Sequence, residues 1–240
     1  MNAFICIFTF FLLWLNSSLR KIVLNLPIKK YISMCSFDED FLIGCRIKET
    51  FVEVWSLKTT TPHRKTTKAD VVWSNDVGYR NTIKCSAILF QEPFAYIGKS
   101  NGRCDIWNVT TNTRIRSLEH DVTDADIFLT IKKIILLKEF ILTLTQRGKV
   151  YVWCKTSCLE SPRKTPCLPV WKCSSSMSGS VICDLYADTT RLVCLEYNMR
   201  ENTTWLVVKD MWHCYKEQGV AKRKTSKQPK FEKRKLSLLC

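Results

Sequence analysis

An all-β fold of repeated four-stranded antiparallel sheets is what this sequence predicts, and three observations carry the prediction. Tryptophans at positions 55, 107, 153 and 205 recur every 46 to 52 residues. Each closes a short run in which apolar residues alternate with others, the side-chain period of a strand. In the first three units a second such run stands just upstream, across a polar turn, and the turns of the second and third contain Gly102 and Gly148. Glycine accepts the positive φ of a tight turn, so these pairs read as hairpins.

The elements then follow in order. The first hairpin joins residues 41–44 to 51–55, the second 94–98 to 104–107, the third 140–144 to 150–153, and the fourth, with a longer turn, 191–195 to 204–208. Ahead of each lies an apolar run, at 31–37, 83–90, 131–137 and 181–186. Behind the first three lies another, at 69–73, 113–118 and 168–173. A unit thus offers four strands. A lone four-stranded sheet cannot cover both its faces, so such units pack radially, face to face, as the blades of a β-propeller or of part of one. Propellers close with about four to eight blades. Four units therefore make a small or irregular ring, a piece of a larger one, or a ring that a partner completes. An unclosed ring leaves strand edges open, which itself predicts a partner.

Residues 157–179 hold three prolines and a serine cluster and read as a long excursion around one short strand. Residues 219–240 lack apolar periodicity and read as a disordered basic tail. The expected organisation is an apolar segment at 1–26, the repeats at 27–218 and the tail at 219–240.

Residues 95–118, with Glu119 and His120 after them, resemble a WD repeat. They contain a glycine turn, an apolar-x-apolar-Trp strand, a Thr-Thr-Asn-Thr turn, and a His two residues beyond Leu118. The resemblance extends over residues 31–215 in four copies, the second the strongest. It departs from the family after the tryptophan, where Ser56, Asn108 and Cys154 stand in place of Asp. In family members a turn Asp, a His, a Ser/Thr and the Trp form a buried hydrogen-bonded set. The resemblance implies that part of this set survives here as His120 with Trp153, or as Asn101 with Trp107. It also marks Trp55, Trp107, Trp153 and Trp205 as repeat tryptophans, and Gly44, Gly98, Asn101, Gly102 and Gly148 as repeat-turn positions. The function it implies is that of a protein-interaction scaffold.

Composition narrows the function further. Apolar residues at 46% and charged residues at 25% are ordinary for a folded soluble domain. The net charge of +15 is uneven: residues 216–240 carry nine Lys or Arg against two Glu. In the tail, Lys222, Arg223 and Lys224, then Lys233, Arg234 and Lys235, form patches of the nuclear-import or nucleic-acid kind. Arg46, Lys48, Lys99, Arg103, Arg147 and Lys149 are expected in the hairpin turns, which in a propeller gather on one rim. That rim is expected to meet an acidic protein surface or a nucleic-acid backbone.

Thirteen cysteines, an odd number set mostly within strands, fit reduced thiols in the cytoplasm or nucleus better than a disulfide framework. The rival is a secreted or membrane-anchored disulfide-bonded β-protein, led by the apolar run at 3–15. That run has the length of a signal-peptide core, yet Arg20 and Lys21 follow it and no basic residue precedes it. Three readings stay open: a signal or anchor, a buried element of the fold, and a sequence mis-joined to the domain. A membrane contact is expected only if 3–15 acts as an anchor.

Catalytic material is thin. His63 lies in a Thr/Lys-rich turn, and His213 and Cys214 are neighbours that a strand would point to opposite faces. The acids at 38–40 and at 121, 124 and 126 suit solvated turns better than calcium ligation. No phosphate-cradling glycine loop and no dinucleotide fingerprint occurs. The expectation is a non-enzyme with no cofactor and no metal.

Overall fold

Four antiparallel sheets of four strands succeed one another along the chain in the computed structural model, which describes residues 24–25, 32–38, 41–46, 51–56, 67–68, 70–76, 83–120, 130–160, 167–176, 178–211, 214 and 232–236. A two-residue strand, β1 (Leu24–Asn25), pairs in parallel with β5 (Thr67–Lys68) beside the first sheet. The first sheet orders β2 (Ile32–Asp38), β3 (Phe41–Arg46), β4 (Phe51–Ser56) and β6 (Asp70–Asp76) as neighbours. The second orders β7 (Cys85–Gln91), β8 (Phe94–Lys99), β9 (Arg103–Asn108) and β10 (Thr113–Glu119). β11 (Ile131–Leu136), β12 (Phe140–Thr145), β13 (Val150–Cys154) and β14 (Trp171–Cys173) make the third. The fourth runs from β15 (Ser180–Ala187) through β16 (Arg191–Asn198) and β17 (Thr203–Asp210) to β18 (Glu232–Leu236). All strands inside a sheet are consecutive meander neighbours, as the hairpin reading requires.

Three apolar clusters join these sheets in chain order. Ile43, Val52, Val54 and Trp73 of the first sheet meet Cys85, Phe90, Ala95 and Ile97 of the second. The opposite face of the second sheet, with Ala87, Tyr96, Cys104, Ile106 and Leu118, packs on Ile131, Ile134, Ile141, Tyr151 and Trp153 of the third. Phe140, Leu142, Leu144, Val150 and Val152 on the third sheet's other face meet Ile182, Leu185, Leu192, Cys194 and Val207 of the fourth. Adjacent residues of one strand thus serve different clusters: in β12, Phe140 and Leu142 point one way and Ile141 the other. This is why the hairpin runs alternate less in polarity than the sequence suggested. Every residue of β12 is buried, because a sheet between two sheets needs apolar side chains on both faces. Among the described residues no cluster joins the fourth sheet to the first.

Two glycines make the close approach between sheets. A Cβ on Gly98 would lie 2.7 Å from Ile131 Cγ2, so β8 reaches the third sheet only because position 98 has no side chain. Gly148, at φ 75°, turns β12 into β13 with its Cα against the backbone of Ile182 in the next sheet.

Two differences from the sequence reading concern the connections. The excursion after Trp153 begins with a short helix, α1 (Lys155–Glu160), in which Cys158 alone is buried. One buried residue in six gives no amphipathic period, so no helical signal could be read there. Within 219–240, residues Glu232–Leu236 are a strand that pairs antiparallel with β17 and completes the fourth sheet. One acid, three consecutive bases and a leucine leave no apolar face to announce a strand; an edge strand of a sheet tolerates that. The rest of the tail, with Lys222, Arg223 and Lys224, lies outside the described residues, as does the apolar run at 3–15. No helix among the described residues is long and apolar enough to cross a membrane.

Candidate functional site

The second and third sheets are fastened by a hydrogen-bonded set around the one described histidine. His120 follows β10 and is 3% exposed. Trp153 Nε1 donates to Thr143 Oγ1 at 3.1 Å, and Thr143 Oγ1 lies 2.6 Å from His120 Nε2. The other ring nitrogen, Nδ1, faces the carbonyl of Gly102. The indole donates to the hydroxyl and Nδ1–H to the carbonyl, which can only accept, so both ring nitrogens are engaged in structural contacts. Its ring also stands edge-on to Tyr151 at 4.5 Å and to Trp153 at 5.2 Å. The expected turn Asp is therefore replaced by a turn carbonyl of the preceding sheet, and His120 meets Trp153 through Thr143, which the sequence reading did not name. Replacing Thr143 by Val should leave the buried indole N–H unsatisfied and cost about 2 kcal/mol of stability. A lower urea midpoint at unchanged slope would report it; an unaltered midpoint would mean that the set is ornamental.

The second such set expected from the sequence does not form. Asn101 Oδ1 accepts the Arg103 backbone N–H at 3.3 Å within its own turn. Trp107 instead packs at 5.9 Å from Trp73, and its buried Nε1 has no hydrogen-bond partner among the described residues. Trp73 Nε1 donates to Asn112 Oδ1 at 2.9 Å, tying the first sheet to the β9–β10 turn. Trp205, half-buried against the third sheet, donates to Thr203 Oγ1 at 3.1 Å. Gly44 sits in β3 opposite Cys35 and Glu53, and the side chain of Trp55 lies outside the described residues.

The basic rim fares differently at each position. Lys99 is not a rim cation. Its side chain is 12% exposed, and Nζ lies 2.6 Å from Oδ2 of Asp105, itself 1% exposed. The approach is short but poorly angled for a hydrogen bond, and neither Asp105 oxygen has a hydrogen-bond partner, so charge attraction holds the pair. Arg114 adds a second, looser contact to the same oxygen at 3.7 Å. The reason is pleat direction: Lys99 follows Gly98 on the face that Ile97 and Ala95 turn to the first sheet. Arg103, by contrast, is exposed and stands 3.1 Å from Glu119. Arg147 is exposed and Lys149 half-buried beside Gly148. Lys48 and the Arg46 side chain lie outside the described residues, as do His63, His213 and the acids at 39–40, 121, 124 and 126.

A buried ionic cluster that sequence reasoning missed locks the third sheet to the fourth. Glu196, fully buried in β16, accepts from Ser175 Oγ at 2.6 Å and from Ser176 N and Oγ at 3.0 Å. Lys209 of β17 stands 3.4 Å from Glu196 Oε1 and donates to the Ser174 carbonyl at 2.7 Å. The serine run at 174–176 and two charges at apolar-facing strand positions were the available signal.

Among the described residues no element packs on the far face of the fourth sheet, whose apolar side chains in β16 and β17 are half-buried. Leu192, Cys194 and Val207 point into the third sheet, so strand alternation turns Val193, Leu195, Tyr197, Leu206 and Val208 the other way. The register lines them up: Tyr186 opposes Val193, which opposes Val208, and Leu195 opposes Leu206. Tyr186 is 67% exposed. None of these side chains belongs to a core cluster of the described residues.

No family model matches the chain, and no curated protein matches it. Solved structures do. The computationally designed Ika4 protein superposes with a TM-score of 0.51 at 14% identity, over 80% of this chain and 97% of that one. The β-propeller domain of Myceliophteria thermophila Cps50 (Swd1) gives 0.53 at 12% identity, over 74% of this chain and 55% of that one. The chain thus spans about half the length of the Cps50 structure. Together with the four stacked meanders, these likenesses place the chain in the β-propeller fold class.

Proposed function

We propose that the chain is a non-catalytic docking scaffold of the WD-repeat kind, and that the far face of its fourth sheet receives a β-sheet from a different protein. The observation that carries this is the aligned apolar rows of Tyr186, Val193 and Val208 and of Leu195 and Leu206, on a face that no described element covers. The occupant follows from continuity: each of the three preceding sheet faces of this type is filled by a neighbouring sheet with branched and aromatic side chains, and the fourth repeats the pattern. The edge strand β18 beside this face carries Lys233, Arg234 and Lys235, which favours a partner acidic along that edge. His120, the one described histidine, is consumed by its structural contacts, which supports a scaffold over an acid–base catalyst. The proposal includes a reduced cytoplasmic or nuclear setting, supported by nine described cysteines that are all free thiols.

The test is a paired variant, Val193→Glu with Leu206→Lys, on a face whose loss of apolar surface leaves the three sheet contacts intact. Circular dichroism and thermal midpoint are expected to stay within about 2 °C of the parent. A partner recovered with the parent chain from native cells should fall at least roughly tenfold in the variant. With the purified partner added, hydrogen exchange should slow across β16 and β17. Unchanged recovery, or a face protected by self-association of the purified chain, would refute the proposal.

A further inference from the structure

Nine positions apart in sequence, Cys158 and Cys167 bring their sulfurs to 2.9 Å, both as free thiols. Cys158 is fully buried in α1, inside the cluster that joins the second and third sheets, and Cys167, half-buried, packs against that cluster from the chain leading into β14. Both lie away from the far face of the fourth sheet, at the junction of the second and third. We propose that they are a site of reversible oxidation, converted to an intramolecular disulfide by a low-molecular-weight disulfide of the glutathione type.

The surroundings give the two sulfurs different parts. A hydrogen bond from the Cys158 thiol, and the nearby Arg116 guanidinium, hold the Cys167 thiol below its usual range. Donating that bond, together with burial, holds the Cys158 thiol above it. Cys167 is therefore the more thiolate-like and the more accessible sulfur, and reaction begins there. Its thiolate attacks one sulfur of the small disulfide; a Cys167 mixed disulfide forms and the first small thiolate leaves. Cys158 then loses its proton and attacks the Cys167 sulfur, expelling the second small thiolate. Two protein thiols and one small disulfide become one protein disulfide and two small thiols, so atoms and electrons balance. The bond would close the chain from α1 to β14 over the junction of the second and third sheets.

Purified chain is incubated with glutathione disulfide, its remaining thiols are alkylated, and its peptides are mapped without reduction. The expected product links Cys158 to Cys167 ahead of any other pair, reverts with dithiothreitol, and raises the thermal midpoint by about 5 °C. Cys158→Ser should stop the reaction at a persistent glutathione adduct on Cys167. Cys167→Ser, at the half-buried position, should abolish both the link and any adduct on Cys158. Equal alkylation of both residues after oxidation, a different first pair, or an adduct on Cys158 in the Cys167→Ser chain would overturn the proposal.

Discussion

Replacing Lys99 by glutamate is expected to destabilise the chain by about 4 kcal/mol, enough to lower its thermal midpoint by roughly 10 °C. Asp105 is 1% exposed and Lys99 12%, so neither charge is solvated, and each is tolerated because the other is 2.6 Å away. Removing the cation alone, as in Lys99→Met, strands a carboxylate between the first and second sheets at a cost of about 3 kcal/mol, moderated by Arg114. Glutamate adds a like charge at the same place. The double variant Lys99→Met with Asp105→Leu removes both charges and should recover most of the loss, since buried pairs are close to neutral against apolar replacements. Arg103→Glu is the control: Arg103 and Glu119 are both more than half exposed, and such pairs contribute less than about 1 kcal/mol. Urea unfolding of the four chains measures all of this. If Lys99→Glu unfolds no more easily than Arg103→Glu, Lys99 is a surface cation after all and the rim gains its strongest member.

The contrast between Lys99 and Arg103, at the two ends of one turn, shows what a sequence can and cannot reveal here. Strand positions were legible because the tryptophan spacing and the glycine turns are local signals, and the four predicted hairpins coincide with β3–β4, β8–β9, β12–β13 and β16–β17. Which face a charge occupies depends on the parity of its position relative to a bulge or a glycine. Lys99 adjoins Ser100 and the turn in sequence, yet pleat parity sends it inward with Ile97. The same limit hid Glu196 and Lys209, whose partners at 174–176 lie in a connection without periodicity. His120 was visible through its resemblance, but Thr143, the atom that joins it to Trp153, is one of many threonines in strands. The far face of the fourth sheet could be foreseen only as a consequence of counting four units; its rows emerge from register, which no single strand encodes.

Gly148→Ala should separate the third sheet from the fourth and cost about 4 kcal/mol or more, the sum of two independent penalties. The first is conformational: at φ 75° an alanine sits in the left-handed region, which disfavours a Cβ by roughly 1–2 kcal/mol. The second is steric. A Cβ built at this position lies 2.5 Å from the backbone nitrogen of Ile182 and 3.0 Å from its carbonyl oxygen. Those are backbone atoms of β15, held by the ladder to β16, so no rotamer change can relieve the contact and the sheets must move apart. Phe140, Leu142, Val150 and Val152 would then lose contact with Ile182, Leu192 and Val207, and a gap of even half an ångström forfeits a sizeable part of that dispersion energy. Gly98→Ala provides the comparison that separates the two penalties. Its Cβ would meet Ile131 Cγ2 at 2.7 Å and Cβ at 2.8 Å, a serious clash, yet with side-chain and not main-chain atoms and without the left-handed strain. Its loss should therefore be smaller, about 2 kcal/mol, and an added Ile131→Ala, which removes the clashing Cγ2, should offset part of it, so that the pair costs less than the sum of its single changes. No side-chain trimming in β15 should rescue Gly148→Ala to the same degree, because Ile182 obstructs with its main chain. Thermal unfolding of the two single variants and their rescue pairs decides the matter. A mild Gly148→Ala, or one fully rescued by Val181→Ala, would show that the third and fourth sheets are not in backbone contact at this turn.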